Sequence, residues 1–135
     1  MKYSDSFECI FTQEKGDEGT LTSDWFDVSW ANELYAYVTV DWDETVAGGA
    51  NESCTSYIER NTPDSTATVL TFSTVVDDAS EEETHATSNI DGNAGVAANN
   101  KIGMRVRFKM TSTAASAWAA NQTLTVTCTM YAKRN

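Results

Sequence analysis

Proline, histidine and long apolar runs are scarce in this chain of 135 residues. Pro63 is the single proline and His85 the single histidine. No nucleophile elbow accompanies His85, so a Ser-His-Asp triad is not indicated and we expect no catalytic residues. No stretch approaches the roughly 18 apolar residues of a membrane-spanning helix, and the N-terminus lacks the apolar segment of a secretory signal. We therefore expect a soluble protein that is not an enzyme and has no membrane partner.

Cysteine is also sparse, and its spacing excludes two classes of site. Cys9, Cys54 and Cys128 are odd in number and far apart, which fits neither a disulfide framework nor a CxxC metal site. Buried thiols on strands are the expectation, with a Cys54–Cys128 bridge left open. The acidic stretch 77–83 has oxygen ligands of the kind that bind Ca²⁺, but it does not match an EF-hand loop. We expect it to be a solvated loop, and we expect no metal and no cofactor.

Positive charge is scarce, and six of the nine Lys and Arg residues lie in positions 101–135. Nine Lys and Arg residues oppose 20 Asp and Glu residues, giving a formal net charge of -11. All 20 acidic residues lie in positions 1–100, whereas positions 101–135 contain cations and no acid. Because phosphate would be repelled by most of this surface, a nucleic-acid partner is not expected. The apolar content of 41% is too high for a disordered chain, and the length suits one domain, 1–135.

Period-two alternation of apolar and polar residues dominates the sequence and predicts strands with one buried face. Turn-rich segments separate these strands, which favours an all-β, two-sheet antiparallel β-sandwich of about eight strands with jelly-roll-like connections. The segment 112–121 is the one candidate for a helical turn, and it suits a long loop equally well. The predicted strands are 7–12, 24–29, 34–42, 54–60, 69–76, 83–88, 102–110 and 124–132.

Two groups of polar-face residues are candidates for a partner or subunit interface. Arg105, Arg107 and Lys109, here called the basic stripe, would lie about 7 Å apart along one strand face. Acidic strands of the same sheet could neutralise the basic stripe, or it could meet an acidic partner. Tyr35 and Tyr37 lie in opposite phase to the core-facing Trp42, so they form either an exposed stripe or a subunit contact. Exposed tyrosines would also suit a sugar ligand.

Four segments of the chain have a familiar combination of strand patterns: 23–29 (SDWFDVS), 34–40 (LYAYVTV), 103–108 (GMRVRF) and 124–133 (LTVTCTMYAK). Together they resemble the small β-sandwich virion proteins of tailed bacteriophages, a group that includes head decoration (cement) proteins. The resemblance implies a non-enzymatic protein on the capsid exterior that binds the major capsid protein of a phage head. It also implies a homo-oligomer, with a trimer favoured. The alternative is a carbohydrate- or receptor-binding β-sandwich module of a phage fibre or tail.

Overall fold

The computed structural model consists of β-strands joined by turns and loops over the part of the chain that it describes. The described residues are 3–14, 16–31, 33–43, 53–61, 66–72, 74–76, 82–86, 90–91, 105–113 and 123–134. The strands are β1 (Tyr3–Glu14), β2 (Thr20–Thr22), β3 (Phe26–Asp27), β4 (Glu33–Asp43), β5 (Ser53–Asn61), β6 (Thr66–Thr71), β7 (Val75–Val76), β8 (Glu82–Ala86), β9 (Ile90–Asp91), β10 (Arg105–Thr113) and β11 (Thr123–Arg134).

The strands form two antiparallel sheets. Sheet one has the order β1-β11-β4-β8, and β9 also pairs with β4. Sheet two has the order β2-β10-β5-β6, with β3 also on β10 and β7 also on β5. Some of the short strands occupy the same position in a sheet, because β2 and β3 both pair with β10, β6 and β7 with β5, and β8 and β9 with β4. The strands of the described residues therefore fill eight positions, four in each sheet.

The chain crosses repeatedly between the two sheets. It runs from β1 in sheet one to β2 and β3 in sheet two, and returns to sheet one as β4. Strands β5 to β7 belong to sheet two, β8 and β9 to sheet one, β10 to sheet two and β11 to sheet one. Eight strand positions in two sheets connected this way make a jelly roll. The predicted fold class is confirmed.

The core lies between the sheets and is built from the alternate residues of the long strands. Val106, Phe108 and Met110 on β10 are buried, as predicted, and burying such a side chain stabilises a fold by roughly 1.5–3 kcal/mol. Ile102 and Met104, predicted to continue this face, lie outside the described residues. The residues of β4 and β11 that were predicted to face inward are all buried: Leu34, Ala36, Val38, Val40, Trp42, Leu124, Val126, Cys128, Met130 and Ala132.

The segment predicted as one strand over 69–76 is interrupted in the structure. Strand β6 ends at Thr71, and the Phe72 N–H donates to the Ser56 carbonyl at 2.9 Å while its ring is buried. Thr74, predicted on the same inward face as Phe72, is exposed. The Thr74 hydroxyl lies 2.7 Å from the Thr55 hydroxyl, and the two form a hydrogen bond at the surface. In an apolar core the Thr74 hydroxyl would lack such a partner, and burying it would cost free energy.

Two other predicted segments differ in their extent. The strand predicted over 24–29 is reduced to β3, Phe26–Asp27. Of the candidate helical turn at 112–121, Ser112 and Thr113 belong to β10 and the remainder lies outside the described residues. In the described part of the chain, no helix has the length and apolar content needed to cross a membrane.

A buried polar network joins the two sheets where β1 leads into β2. The Ser112 hydroxyl donates to Gln13 Oε1 at 2.5 Å, and the Gln13 amide donates to the Asp17 carbonyl at 2.9 Å. Gly19 exchanges hydrogen bonds with Ser112 through its N–H and its carbonyl. Gly16 has φ of 99°, a left-handed conformation that glycine adopts at little cost. The network satisfies the buried side chains of Gln13 and Ser112 and fixes the first crossing between the sheets.

Candidate functional site

The five predicted interface residues lie on the outer surfaces of different sheets. Tyr35 and Tyr37 are on β4 in sheet one. The basic stripe, Arg105, Arg107 and Lys109, is on β10 in sheet two. Since the sheets pack face to face with the core between them, these residues do not form one site.

The basic stripe is partly neutralised from within its own sheet, because one carboxylate pairs with two of its three cations. Glu59 on β5 lies directly opposite Arg107 in the antiparallel ladder. Arg107 Nε and Nη2 both lie 2.9 Å from Glu59 Oε1, and Lys109 Nζ lies 3.7 Å from Glu59 Oε2. Glu59 is only 7% exposed, so its charge is held in a largely dry position by these two cations. Of the two alternatives for the stripe, pairing with an acid of the same sheet applies to Arg107 and Lys109, which share the single charge of Glu59.

Aromatic rings cover the same cations. The Arg107 guanidinium carbon lies 4.3 Å from the centroid of the Trp25 ring, and Lys109 Nζ lies 5.3 Å from that of Tyr57. Both distances are within the range of a favourable cation–π contact. The guanidinium of Arg107 is therefore enclosed by a carboxylate and an indole, which leaves little of its charge available to an acidic partner.

Arg105 differs from the other two stripe residues because it is exposed. It lies opposite Asp27 in the ladder, and its guanidinium carbon is 6.0 Å from the Trp25 ring. Hydrogen bonds from Ser29 hold the pKa of Asp27 below its usual value, and the charge of Arg105 acts in the same direction. Arg105, at the end of the basic stripe, therefore also lies beside an acidic residue of its own sheet, Asp27.

The outer surface of sheet one is different, because it exposes apolar area. Ile10, Tyr37 and Tyr131 are 57%, 42% and 45% exposed, and they are the exposed large hydrophobic residues of the described chain. All three lie on strands of sheet one, β1, β4 and β11. Together with Tyr35 they define what we call the tyrosine face. Clustering of exposed apolar residues on one surface is typical of an interaction site.

An open groove of about 590 Å³ lies on the tyrosine face. The ladder brings Tyr131 opposite Tyr35 on one side and Ser6 on the other. The Tyr37 and Tyr131 rings meet edge to face with centroids 5.9 Å apart, and Lys133 Nζ lies 5.6 Å from the Tyr35 centroid. The residues lining this tyrosine groove are Asp5, Ser6, Tyr35, Tyr37, Tyr131 and Lys133.

The groove offers ring surfaces beside hydroxyl, carboxylate and ammonium groups. Tyrosine combines an apolar body with a polar end, which allows it to contact protein or sugar surfaces that are both apolar and hydrogen-bonding. Within the described ranges, no group of three or more His, Cys, Asp and Glu residues is placed to hold a metal ion. The chemistry supported by this groove is therefore recognition of an amphipathic surface or ligand.

The other sequence candidates are only partly described. His85 falls on β8, but its side chain is outside the described set. Of the acidic stretch 77–83 that was expected to be a loop, Glu82 and Glu83 belong to β8, where they pair with β4, and 77–81 lie outside the described residues.

Cys54 and Cys128 are buried free thiols, as predicted. The prediction of burial is wrong for Cys9, a free thiol that is partly exposed because it lies on the edge strand β1. Burial raises the pKa of Cys54 to about 12 and also raises that of Cys128. The Cys54–Cys128 bridge left open by the sequence is not formed.

Sequence reasoning did not select several residues that complete these surfaces. Tyr131 was placed correctly on the wet face of its strand, in phase with the threonines of β11, but it was not named as a site residue. Its pairing with Tyr35 depends on β4 lying beside β11, which one sequence does not reveal. Ile10 and Glu59 were missed for the same reason. The position of Tyr131 in the polar phase of its strand was the signal from which its exposure could have been predicted.

Comparison with known proteins shows similarity at the level of fold. No family model matches the sequence, and no curated protein matches it either. The fold is similar to a structure of infectious bursal disease virus, Gx strain, with a TM-score of 0.50 and 13% identity. That match covers 100% of this chain and 38% of the viral chain. The VP2 subviral particle of the same virus matches with a TM-score of 0.42 and 16% identity, covering 100% of this chain and 37% of that one.

The chain thus spans well under half the length of the viral chains that it matches. At 13% identity, the likeness concerns the arrangement of strands. The fold of this protein is a jelly roll, and part of the viral chain has a similar fold.

Proposed function

We propose that this protein is a non-enzymatic structural component of a virion, and specifically a decoration (cement) protein on the exterior of a tailed-phage head. Its partner is the assembled major capsid protein. The likeness in fold to a chain of infectious bursal disease virus supports a structural virion role. The resemblance of segments 23–29, 34–40, 103–108 and 124–133 to phage virion proteins supports the decoration role. A jelly roll serves many functions, so the remaining support must come from the surface.

The tyrosine face is the proposed contact with the capsid. The observation that carries this is the placement of Ile10, Tyr37 and Tyr131, the exposed large hydrophobic residues of the described chain, on one outer surface. Aromatic residues, and tyrosine in particular, are enriched among the residues that contribute most to protein–protein affinity. The opposite outer surface is a weaker candidate because Arg107 and Lys109 are already paired with Glu59.

The proposed mechanism of stabilisation is linkage. A protein that binds the assembled lattice but not free subunits stabilises the lattice by mass action. A homo-oligomer, with a trimer favoured by the resemblance, would engage several lattice sites at once, and the second contact would then gain from a high effective concentration. Binding through several copies at once therefore gives a high overall affinity even when each copy binds with modest affinity.

Binding to particles tests the proposal. The purified chain should co-sediment with assembled heads of the source phage and should not bind free capsid subunits. Tyr37→Ser and Tyr131→Ser should each weaken the binding by about tenfold, since an interface tyrosine contributes on the order of 1–2 kcal/mol. Arg105→Ala, an exposed change on the other sheet, is the matched control and should bind normally.

The outcomes separate the function from the surface. If the wild-type chain shows no affinity for heads, the decoration role is wrong. If it binds but Arg105→Ala weakens binding while the tyrosine variants do not, the contact lies on sheet two and the tyrosine face is the wrong surface.

A second candidate function is favoured by the tyrosine groove, namely a carbohydrate- or receptor-binding module of a phage fibre or tail. The groove volume of about 590 Å³ is in the range of small-ligand sites, and it combines tyrosine rings with Lys133 and Asp5. In that case a glycan array should show binding by the wild-type chain, with a loss of tenfold or more for Tyr35→Ala. Head binding without any glycan signal would reject this candidate.

A further inference from the structure

Two of the three thiols lie directly opposite each other on neighbouring strands. Cys9 on β1 and Cys128 on β11 are paired in the antiparallel ladder. Directly opposed residues of such a ladder have Cα atoms about 4.5–5.5 Å apart, within the roughly 4.4–6.8 Å that a disulfide spans. We propose that Cys9 and Cys128 are a redox site that forms a reversible cross-strand disulfide, fastening the edge strand β1 to β11.

The third thiol is less accessible to an oxidant. Cys54 is on β5 of sheet two, across the core from Cys128. Cys54 and Cys128 are both buried, so a dissolved oxidant reaches neither of them first, whereas Cys9 is partly exposed. The fold therefore selects Cys9 as the partner of Cys128 and leaves Cys54 as a thiol of the core.

Exposure sets the order of the chemical steps. Cys9 is partly exposed on an edge strand, and Cys128 is fully buried. A small disulfide such as glutathione disulfide first exchanges at Cys9, which gives a mixed disulfide and releases one glutathione thiol. The Cys128 thiol then attacks the Cys9 sulfur and expels the second glutathione. Two protein thiols become one disulfide, the oxidant is reduced to two thiols, and the two protein protons pass to them.

The structural consequence concerns strand β1. It is the edge of sheet one, and β11 is its neighbour among the described strands. Edge strands separate most readily in local unfolding, and loss of β1 would uncover the core residues of β11. β1 also carries Ile10 of the tyrosine face and Ser6 of the tyrosine groove. A covalent link at Cys9 therefore stabilises both the core and the proposed contact surface.

The redox environment determines when the disulfide forms, and this step rests on the proposed function. A virion protein is made in a reducing cytosol and then meets an oxidising exterior. Burial, and secondly the charge of Asp24, raises the pKa of Cys9, so the thiolate that reacts is scarce near neutral pH. The disulfide is expected to form slowly after release and not during synthesis.

Thiol mapping of the full chain tests the proposal. After incubation with glutathione disulfide, alkylation of free thiols and proteolysis, mass spectrometry should show a peptide linking Cys9 to Cys128, with Cys54 alkylated. The oxidised protein should melt about 10 °C above the reduced form, because a disulfide closing a long loop stabilises by roughly 2–4 kcal/mol. Cys54→Ala should behave as wild type, and Cys9→Ala should show neither the link nor the shift.

Three results would overturn it: a Cys54–Cys128 link, a Cys9–Cys9 link between two chains, or no disulfide in protein that circular dichroism shows to be folded. Cys9 is partly exposed, so Cys9→Ala is expected to fold even if a change at the buried Cys128 does not. The measurement uses no particles. Its failure therefore leaves the decoration role standing, and failure to bind heads leaves the disulfide standing.

Discussion

Replacing Val126 by lysine is expected to unfold this protein, whereas the same replacement at its neighbour Thr127 is expected to cost less than about 1 kcal/mol. Val126 is fully buried on β11, which lies between β1 and β4, and its ladder partners are Phe11 and Val40. An ammonium group at this position would lose its hydration with no carboxylate to replace it. That cost is comparable to the 5–15 kcal/mol that typically stabilises a whole domain.

Thr127 is the matched control because it follows Val126 on the same strand and points to the opposite face. Its ladder partners are the exposed Ile10 and the half-buried Thr39, so a lysine there can extend along the sheet and keep its ammonium group in water. Urea titration followed by circular dichroism measures both variants. A folded Val126→Lys protein with the urea midpoint of the wild type would show that the assignment of faces on β11 is wrong.

The faces of the long strands could be predicted because side-chain direction in a strand depends on a period of two and on nothing distant. Leu34 to Trp42 on β4 and Leu124 to Ala132 on β11 alternate over enough residues for the pattern to be distinct, and burial follows that pattern. The two-residue strands β7 and β9 carry no such pattern. They are defined by hydrogen bonds to β5 and β4, which are contacts between parts of the chain that are distant in sequence.

The site was less predictable because it depends on which strands are neighbours. Arg105, Arg107 and Lys109 lie at alternate positions of one strand, as the sequence indicated, but the sequence left open whether an acid of the same sheet faced them. Glu59, which does, is 48 positions away from Arg107. Likewise, Tyr35 and Tyr131 were each in the polar phase, and only the pairing of β4 with β11 makes them one surface. Pairing of this kind is set by the whole core and not by a local signal.

The two outer surfaces therefore have different physical roles. On sheet two, Arg107 and Lys109 pair with Glu59 within the molecule, and the Arg107–Glu59 pair is shielded by Trp25. On sheet one, apolar area at Ile10, Tyr37 and Tyr131 remains in contact with water. Burying that apolar area against a partner would lower the free energy, whereas disrupting the Arg107–Glu59 pair would raise it. This difference is why we propose the tyrosine face as the contact surface.

The internal role of the basic stripe leads to the second large effect, on Arg107. Arg107→Met is expected to lower the free energy of unfolding by about 2–3 kcal/mol, since it leaves the nearly buried Glu59 carboxylate with Lys109 at 3.7 Å and removes the contact with Trp25. Lys109→Met is the matched control. Its side chain is 31% exposed, and its ion pair is longer and more screened, so the expected loss is under about 1 kcal/mol.

The double variant Glu59→Met/Arg107→Met tests why Arg107 matters for stability. Either Arg107 is required only because the nearly buried Glu59 needs a cation, or the ion pair stabilises the fold relative to apolar side chains. Once both charges are gone, no carboxylate is left without its partner, and apolar side chains of similar volume often replace such pairs at little cost. The double variant should therefore recover most of the stability lost in Arg107→Met, which is a strongly non-additive result in urea titrations. Equal losses for Arg107→Met and Lys109→Met, or losses that simply add in the double variant, would mean that Glu59 does not require Arg107. The basic stripe would then again be a candidate surface for an acidic partner.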